Sequence, residues 1–117
     1  MASSDRMNPI SPQEFAQRVV DLRLSDRRLI DLALSDLGVG DHSLEETISA
    51  LQRHGAVTTL QTDKILKGDR QGYYYGDYKV LYLIGAGTFA RVFRAEKDGK
   101  VVAVKVLRKR FAGDQKS

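Results

Sequence analysis

Residues 83–92 read Leu-Ile-Gly-Ala-Gly-Thr-Phe-Ala-Arg-Val, and residues 102–105 read Val-Ala-Val-Lys. Two glycines with one residue between them, Gly85 and Gly87, let backbone N–H groups come close to a phosphate chain, because no side chain projects from either α-carbon. Several kinds of nucleotide-binding loop contain such a pair. The residues that follow the glycines distinguish between them.

Two of these loop types do not fit the chain. A phosphate loop of the GxxxxGK[ST] type is excluded, because neither Gly-Lys-Ser nor Gly-Lys-Thr occurs. A dinucleotide-binding fold accepts Gly-x-Gly-x-x-Ala, but it needs a helix that opens on the last small residue and an acidic residue about 20 positions further on. The chain has neither, and Lys105 lies where the acidic residue is expected.

The residues around the glycines favour β-strands instead. Residues 78–84 and 91–96 are rich in β-formers, Asp98-Gly99 is typical of a tight turn, and 101–107 is a second apolar run. The order strand, glycine turn, strand, tight turn, strand predicts a three-stranded antiparallel β-meander with no crossover helix.

Strand periodicity also predicts which residues share a face. On the first strand, Tyr78, Val80, Tyr82 and Ile84 alternate and are expected on one face. On the last strand, Ala103 and Lys105 are expected on one face and Val102, Val104 and Val106 on the other. One face of this strand would then meet a ligand, and the other would meet protein.

The two motifs together resemble the start of a eukaryotic-type protein kinase domain, as found in bacterial-like serine/threonine kinases. That domain opens with G-x-G-x-x-G-x-V over the ATP phosphates and continues to V-A-I-K; here the two sequences are G-A-G-T-F-A-R-V and V-A-V-K. The resemblance implies that Phe89 lies at the loop tip, that Val92 and Ala103 pack on the adenine, and that Lys105 holds the α- and β-phosphates. The ATP-binding residues that it implies are Ile84, Gly85, Ala86, Gly87, Thr88, Phe89, Ala90, Val92, Ala103 and Lys105.

The chain departs from the kinase pattern in two ways. Ala90 stands where the family usually has its third glycine, which is expected to stiffen the loop and affect ATP affinity. Only 12 residues follow Lys105, so the helix glutamate that pairs with the lysine, the H-R-D loop and the D-F-G metal site are not in this chain. We therefore expect no catalytic residue and no metal ligand here, with Mg²⁺ bound by residues of the rest of the kinase domain.

Composition sets the broad class. The chain has 117 residues, 42% hydrophobic and 29% charged, which suits one ordinary domain or two very small ones. It has no cysteine, and its two histidines, His42 and His54, have no clustered carboxylate partners, so they are interpreted as solvent-exposed turn residues rather than a metal site. No segment is apolar enough for a membrane span or a signal peptide, so a cytoplasmic protein is expected.

The part before the strands predicts helices. Capping-box patterns begin at Ser11, Ser43 and Thr58, and Ser25 is the expected cap of a further helix. The first helix is expected to end near Leu24, and glycines are expected to end the others. The predicted architecture is α+β, with a disordered leader at 1–9, a bundle of four short helices at 10–68, a linker at 69–77 and an incomplete kinase domain at 78–117.

Two other functions compete with the N-terminal part of a protein serine/threonine kinase. The chain could be an adaptor or pseudokinase whose helical bundle binds a protein partner. The presence of Lys105, the motif lysine, is evidence against this alternative. The chain could also be a winged-helix DNA-binding protein. The expected recognition helix offers only Lys64 and Lys67 as basic residues, and Asp63 lies beside them. The basic run Arg108-Lys109-Arg110 is short for a nucleic-acid patch, so no nucleic-acid partner is expected.

Overall fold

A computed structural model describes residues 10–108 of the chain. The leader predicted at 1–9 and the end of the predicted kinase segment, residues 109–117, lie outside the described residues. The chain divides into two compact units, one up to Arg70 and one from Gln71 onward. Between residues 10 and 108, the first contains four helices and the second a four-stranded antiparallel sheet, which confirms the predicted α+β class.

The described part of the helical unit contains α1 (Pro12–Asp21), α2 (Arg27–Ser35), α3 (Leu44–Arg53) and α4 (Thr59–Lys67). The three predicted capping boxes at the starts of α1, α3 and α4 all form. At α3, for example, Glu46 N–H donates to Ser43 Oγ at 3.0 Å and Ser43 N–H donates to a Glu46 carboxylate oxygen at 2.9 Å. Each box satisfies backbone N–H groups that lack an intrahelical partner.

Two predicted details of the first helices are wrong. Asp26, not Ser25, caps α2, since its carboxylate accepts from Leu29 N–H at 2.9 Å. Ser25 Oγ instead donates to the Ala56 carbonyl at 2.6 Å, a contact 31 residues away. Helix α1 ends at Asp21 rather than near Leu24, because the chain reverses at Arg23, whose φ is 59°.

The core of the helical unit combines the four apolar helix faces. Helix α3 contacts both α1 and α2, and helices this short need such packing to persist. The buried polar side chains have partners: Thr47 Oγ1 donates to the Ser43 carbonyl at 3.0 Å, and Gln61 Oε1 accepts from Thr58 N–H at 2.9 Å. The buried side chains of this unit are Phe15, Ala16, Val19, Leu24, Ile30, Ala33, Thr47, Ala50, Leu51, Ala56, Val57, Gln61, Thr62 and Ile65.

The histidines are not the exposed residues that the sequence predicts, because both are half-buried and each lies near a carboxylate. His54, at the end of α3, contacts the carboxylate of Asp36, at the end of α2, with 2.5 Å between His54 Nε2 and Asp36 Oδ2. His42 lies 3.8 Å from the Glu46 carboxylate and 3.1 Å from the Gly38 carbonyl. The His54 contact joins residues 18 apart in sequence, so the packing of α3 on α2 creates it.

These contacts predict an acid-sensitive helical unit. The hydrogen bond from His54 lowers the pKa of Asp36 below its ordinary 3.8, and the hydrogen bond from the Ser43 backbone lowers the pKa of Glu46 below its ordinary 4.5. A carboxyl with a lower pKa when folded stabilises the fold above its ordinary pKa, and this contribution disappears as the pH falls through the lowered folded value. We therefore expect the free energy of unfolding to fall in that acidic range.

Urea unfolding followed by circular dichroism between about pH 6 and about pH 3 tests this expectation. The double variant Asp36→Asn/Glu46→Gln should be less stable than wild type near pH 6. Its free energy of unfolding should also fall less steeply than that of wild type as the pH is lowered. The control Asp31→Asn removes an exposed carboxylate of α2 that makes no ion pair within residues 10–108. If the stability of the double variant depended on pH as that of wild type does, Asp36 and Glu46 would not be the cause of the acid sensitivity.

The second unit is a sheet in the order β1-β2-β3-β4, all antiparallel. Its strands are β1 (Tyr74–Tyr75), β2 (Tyr78–Ala86), β3 (Ala90–Lys97) and β4 (Lys100–Leu107). The last three form the predicted meander. Strand β1 lies inside the segment predicted as a linker at 69–77, so the tyrosines there extend the sheet.

One side of the sheet carries the core of this unit. Val80, Phe93 and Ala95 are buried, and the rings of Tyr75 and Phe93 lie 5.7 Å apart. The predicted regular alternation along β2 is wrong, because the β2–β3 register shifts between Val80 and Tyr82 and again between Leu83 and Gly85. Such irregularities redirect side chains, and Val80 is 0% exposed whereas Tyr82 is 47% exposed.

The helices are all short. Among residues 10–108, none of them has the length and apolar character needed to cross a membrane.

Candidate functional site

The glycine segment forms the connection between β2 and β3. Strand β2 ends at Ala86 and β3 begins at Ala90, and Gly87 N–H donates to the Ala90 carbonyl at 2.8 Å. This bond closes a short turn, here called the glycine turn and defined as residues 87–90. The turn lies at the end of the strands, where a backbone can face a ligand.

The conformation of the chain does not require glycine at either motif position. Neither Gly85 nor Gly87 has a positive φ, whereas Gly76 and Gly99, in the other two turns of the sheet, have φ of 61° and 80°. A Cβ atom at Gly85 would meet no atom within 4 Å, and one at Gly87 would lie an ordinary 3.8 Å from the Ala90 carbonyl oxygen. Both positions therefore have open space beside the backbone, which a ligand could approach closely.

Strand pairing places three of the predicted site residues side by side. Gly85 on β2 pairs with Val92 on β3, and Val92 pairs with Lys105 on β4. Directly opposite residues on neighbouring strands project to the same face and lie within side-chain contact range. Gly85, Val92 and Lys105 thus form a row across the sheet, here called the cross-strand row.

Ala103 belongs to the same face. It pairs with Arg94, two residues from Val92 on β3, and lies two residues before Lys105 on β4. Ala103 and Lys105 are exposed, whereas the alternate residues Val102, Val104 and Val106 are half-buried. The predicted alternation along β4 is confirmed, and the expectation that its exposed face meets a ligand stays a prediction.

The remaining predicted residues surround the turn. Ala86 and Thr88 are exposed and Ala90 is half-buried. Phe89 is 63% exposed within the turn, as expected for a tip residue. Ile84 is 48% exposed and has no partner in the β2–β3 ladder, because it lies at a register shift. The structure therefore places the turn residues next to the cross-strand row but does not align Ile84 with it.

The charges near the row are mostly positive. Lys105 makes no ion pair with any residue between 10 and 108, so its ammonium is available to an anion. The Arg94 guanidinium lies 5.8 Å from the centre of the Tyr82 ring on the same face. Further along, Lys79 lies 3.9 Å from the Glu96 carboxylate. No group of three or more metal-ligand side chains comes together within the described part of the chain.

Arg108 was missed as a site residue. In sequence it belongs to a basic cluster that is too short to predict a site, but Arg108 Nε donates to the Gly87 carbonyl at 2.8 Å and Arg108 N–H donates to the Phe89 carbonyl at 2.8 Å. The two residues in the side-chain bond are 21 apart. Only the pairing of β3 with β4 brings Arg108 to the turn, so no local pattern could reveal it.

The helical unit has a groove of its own, with a volume of about 390 Å³. Apolar Ala16, Leu34 and Leu37 line it together with polar Arg27 and His42. Part of this lining is internally bonded, since Arg27 donates to the Gln17 side chain at 2.8 Å. The mixture indicates no particular ligand, and a protein partner for the helices stays a prediction.

Comparisons with protein-family models, with curated proteins and with solved structures find no match to this chain.

Proposed function

We propose that this chain is the N-terminal part of a cytoplasmic, ATP-dependent protein serine/threonine kinase, and that it contributes the phosphate-binding glycine loop and the lysine of the ATP site. The observation that carries the proposal is the cross-strand row, in which Gly85, Val92 and Lys105 are neighbours on three strands. The sequence motifs alone give only the order of these residues. Their adjacency is what a single ligand contacting all three would require.

Each residue in the row has properties that suit a part of ATP. The Lys105 ammonium, without a protein ion pair among residues 10–108, supplies a positive charge for phosphate oxygens. Val92 and Ala103 present small apolar surfaces that can cover an aromatic base. The open space at Gly85 and Gly87 lets backbone atoms approach the phosphates.

Phosphate transfer needs groups that this chain does not supply. In the proposed kinase, Mg²⁺ would neutralise charge on the phosphates and would be held by residues of the rest of the kinase domain. The role of this chain would be to bind and orient the nucleotide. Ala90, with a methyl group in place of the usual third glycine, would reduce the closeness of the backbone to the phosphates.

The glycines provide the test of this proposal. Because neither has a positive φ and both have space for a Cβ, Gly85→Ala and Gly87→Ala should leave stability unchanged or raise it by about 0.5 kcal/mol. If ATP phosphates lie against this backbone, the same substitutions should lower MgATP affinity by about tenfold, which corresponds to about 1.4 kcal/mol. Urea unfolding and calorimetric titration measure the two effects.

Gly99→Ala is the matched control. Gly99 has a φ of 80° in the β3–β4 turn, so alanine there should destabilise the sheet by about 1 kcal/mol. The control should therefore show the opposite pattern, with lost stability and, in the folded protein, retained MgATP affinity. Unchanged MgATP affinity in both motif-glycine variants would contradict the proposed nucleotide site.

A further inference from the structure

The glycine turn is hydrogen-bonded to the residue that follows β4, the strand that carries Lys105. Arg108, three residues beyond this lysine, makes two bonds to the turn: its backbone N–H reaches the Phe89 carbonyl and its Nε reaches the Gly87 carbonyl, each at 2.8 Å. The backbone bond continues the β3–β4 ladder beyond the pair Ala90 and Leu107. The side-chain bond is additional, since sheet pairing does not require it.

The bond to Gly87 fixes the orientation of a peptide group. A trans peptide is planar, so the carbonyl of Gly87 and the N–H of Thr88 point in opposite directions. With the carbonyl held by Arg108, Thr88 N–H points away from the guanidinium. Thr88 N–H makes no hydrogen bond within residues 10–108, whereas Gly87 N–H is already bonded to the Ala90 carbonyl.

We propose that Arg108 is a positioning residue that sets the orientation of the Gly87–Thr88 peptide and so directs the Thr88 N–H toward the phosphates of a bound nucleotide. This inference rests on the proposed function, because it takes the ligand that Thr88 N–H faces to be a nucleotide. A guanidinium suits the role because its donors have a fixed planar geometry. The lysine that meets the phosphates and the arginine that orients the loop would then lie on one strand.

The inference predicts a specific dependence on phosphate. Without the side-chain bond, the turn is held less firmly, so Arg108→Ala should speed hydrogen exchange at Gly87 N–H, whose bond to the Ala90 carbonyl closes the turn, by about fivefold. The freed Gly87–Thr88 peptide should also lower MgATP affinity by about fivefold. Affinity for adenosine, which has no phosphate, should not change. Arg108→Lys retains the charge but not the planar guanidinium, so it should recover only part of the lost MgATP affinity.

The experiment uses the full chain, with hydrogen exchange measured by NMR without nucleotide and with MgATP and adenosine titrated separately. Lys100→Ala is the matched control, because it removes one positive charge from the opposite end of β4. It should leave turn exchange and MgATP affinity unchanged. A loss of affinity for adenosine as large as for MgATP would indicate a general structural defect and would overturn the positioning role.

The remaining outcomes separate the two proposals. A wild-type chain that binds MgATP and an Arg108→Ala variant that binds it equally well would overturn the inference about Arg108 alone. No MgATP binding by the wild-type chain would overturn the nucleotide proposal, and the role of Arg108 toward phosphate with it, even if turn exchange becomes faster in Arg108→Ala.

Discussion

Replacement of Lys105 by alanine is expected to lower the affinity of the chain for MgATP by about ten- to hundredfold, because hydrogen bonds to a charged group contribute about 1.5–3 kcal/mol. The ammonium lies on the exposed face of β4, next to Val92 and in line with Gly85. An exposed side chain without an ion pair in residues 10–108 contributes little to folding, so the free energy of unfolding should change by less than about 0.5 kcal/mol. Calorimetric titration and urea unfolding measure the two quantities.

Two further variants make the Lys105 result specific. Lys100→Ala removes the same charge from the same strand but at the far end, beside Lys97, and should leave MgATP affinity within about twofold of wild type. Lys105→Arg keeps the charge with a different shape, and should bind MgATP less well than wild type but better than Lys105→Ala. Equal affinity of the Lys105→Ala and wild-type chains would exclude this lysine from the site.

Replacement of Leu51 by alanine is expected to destabilise the helical unit by about 2–5 kcal/mol, the usual cost of a cavity at a fully buried leucine. Leu51 is 0% exposed and lies on α3, the helix that contacts both α1 and α2. A small domain has only a few kcal/mol of stability to lose. The Leu51→Ala variant should therefore lose much of its helical circular dichroism signal at a lower urea concentration than wild type.

Leu32→Ala is the control for the Leu51 prediction. Leu32 is on α2 and 58% exposed, so its removal should change the free energy of unfolding by less than about 1 kcal/mol. Similar urea midpoints for Leu51→Ala and wild type would show that the core of the helical unit does not depend on α3 as described.

Local signals predicted much of the fold. The serine and threonine caps, each followed three residues later by Glu or Gln, located the starts of α1, α3 and α4 because a capping box depends on only four consecutive residues. The alternation of β4 correctly predicted that Ala103 and Lys105 share a face, and this face is exposed. The prediction of the α2 cap was wrong because Ser25 and Asp26 are both good N-cap residues. The hydroxyl of Ser25 donates to the distant Ala56 carbonyl, and Asp26 caps the helix instead.

Contacts between distant residues could not be predicted in this way. The bond from His54 to Asp36 and the bond from Arg108 to Gly87 depend on how helices and strands pack, and nothing beside these residues in sequence indicates them. Strand β1 is only two residues long, and pairing with β2 defines it. The register shifts in β2 similarly arise from pairing with β3, so residue alternation placed Tyr82 on the wrong face.

The most direct measurement is an NMR titration of the isotopically labelled full chain with MgATP, followed residue by residue. If the cross-strand row and the glycine turn form a nucleotide site, the amide signals that shift should be those of residues 84–90, Val92, Ala103 and Lys105, with saturable dependence on MgATP concentration. Signals of α1–α4 should stay in place. The absence of saturable shifts, or shifts confined to residues 12–67, would contradict a nucleotide site at the glycine turn.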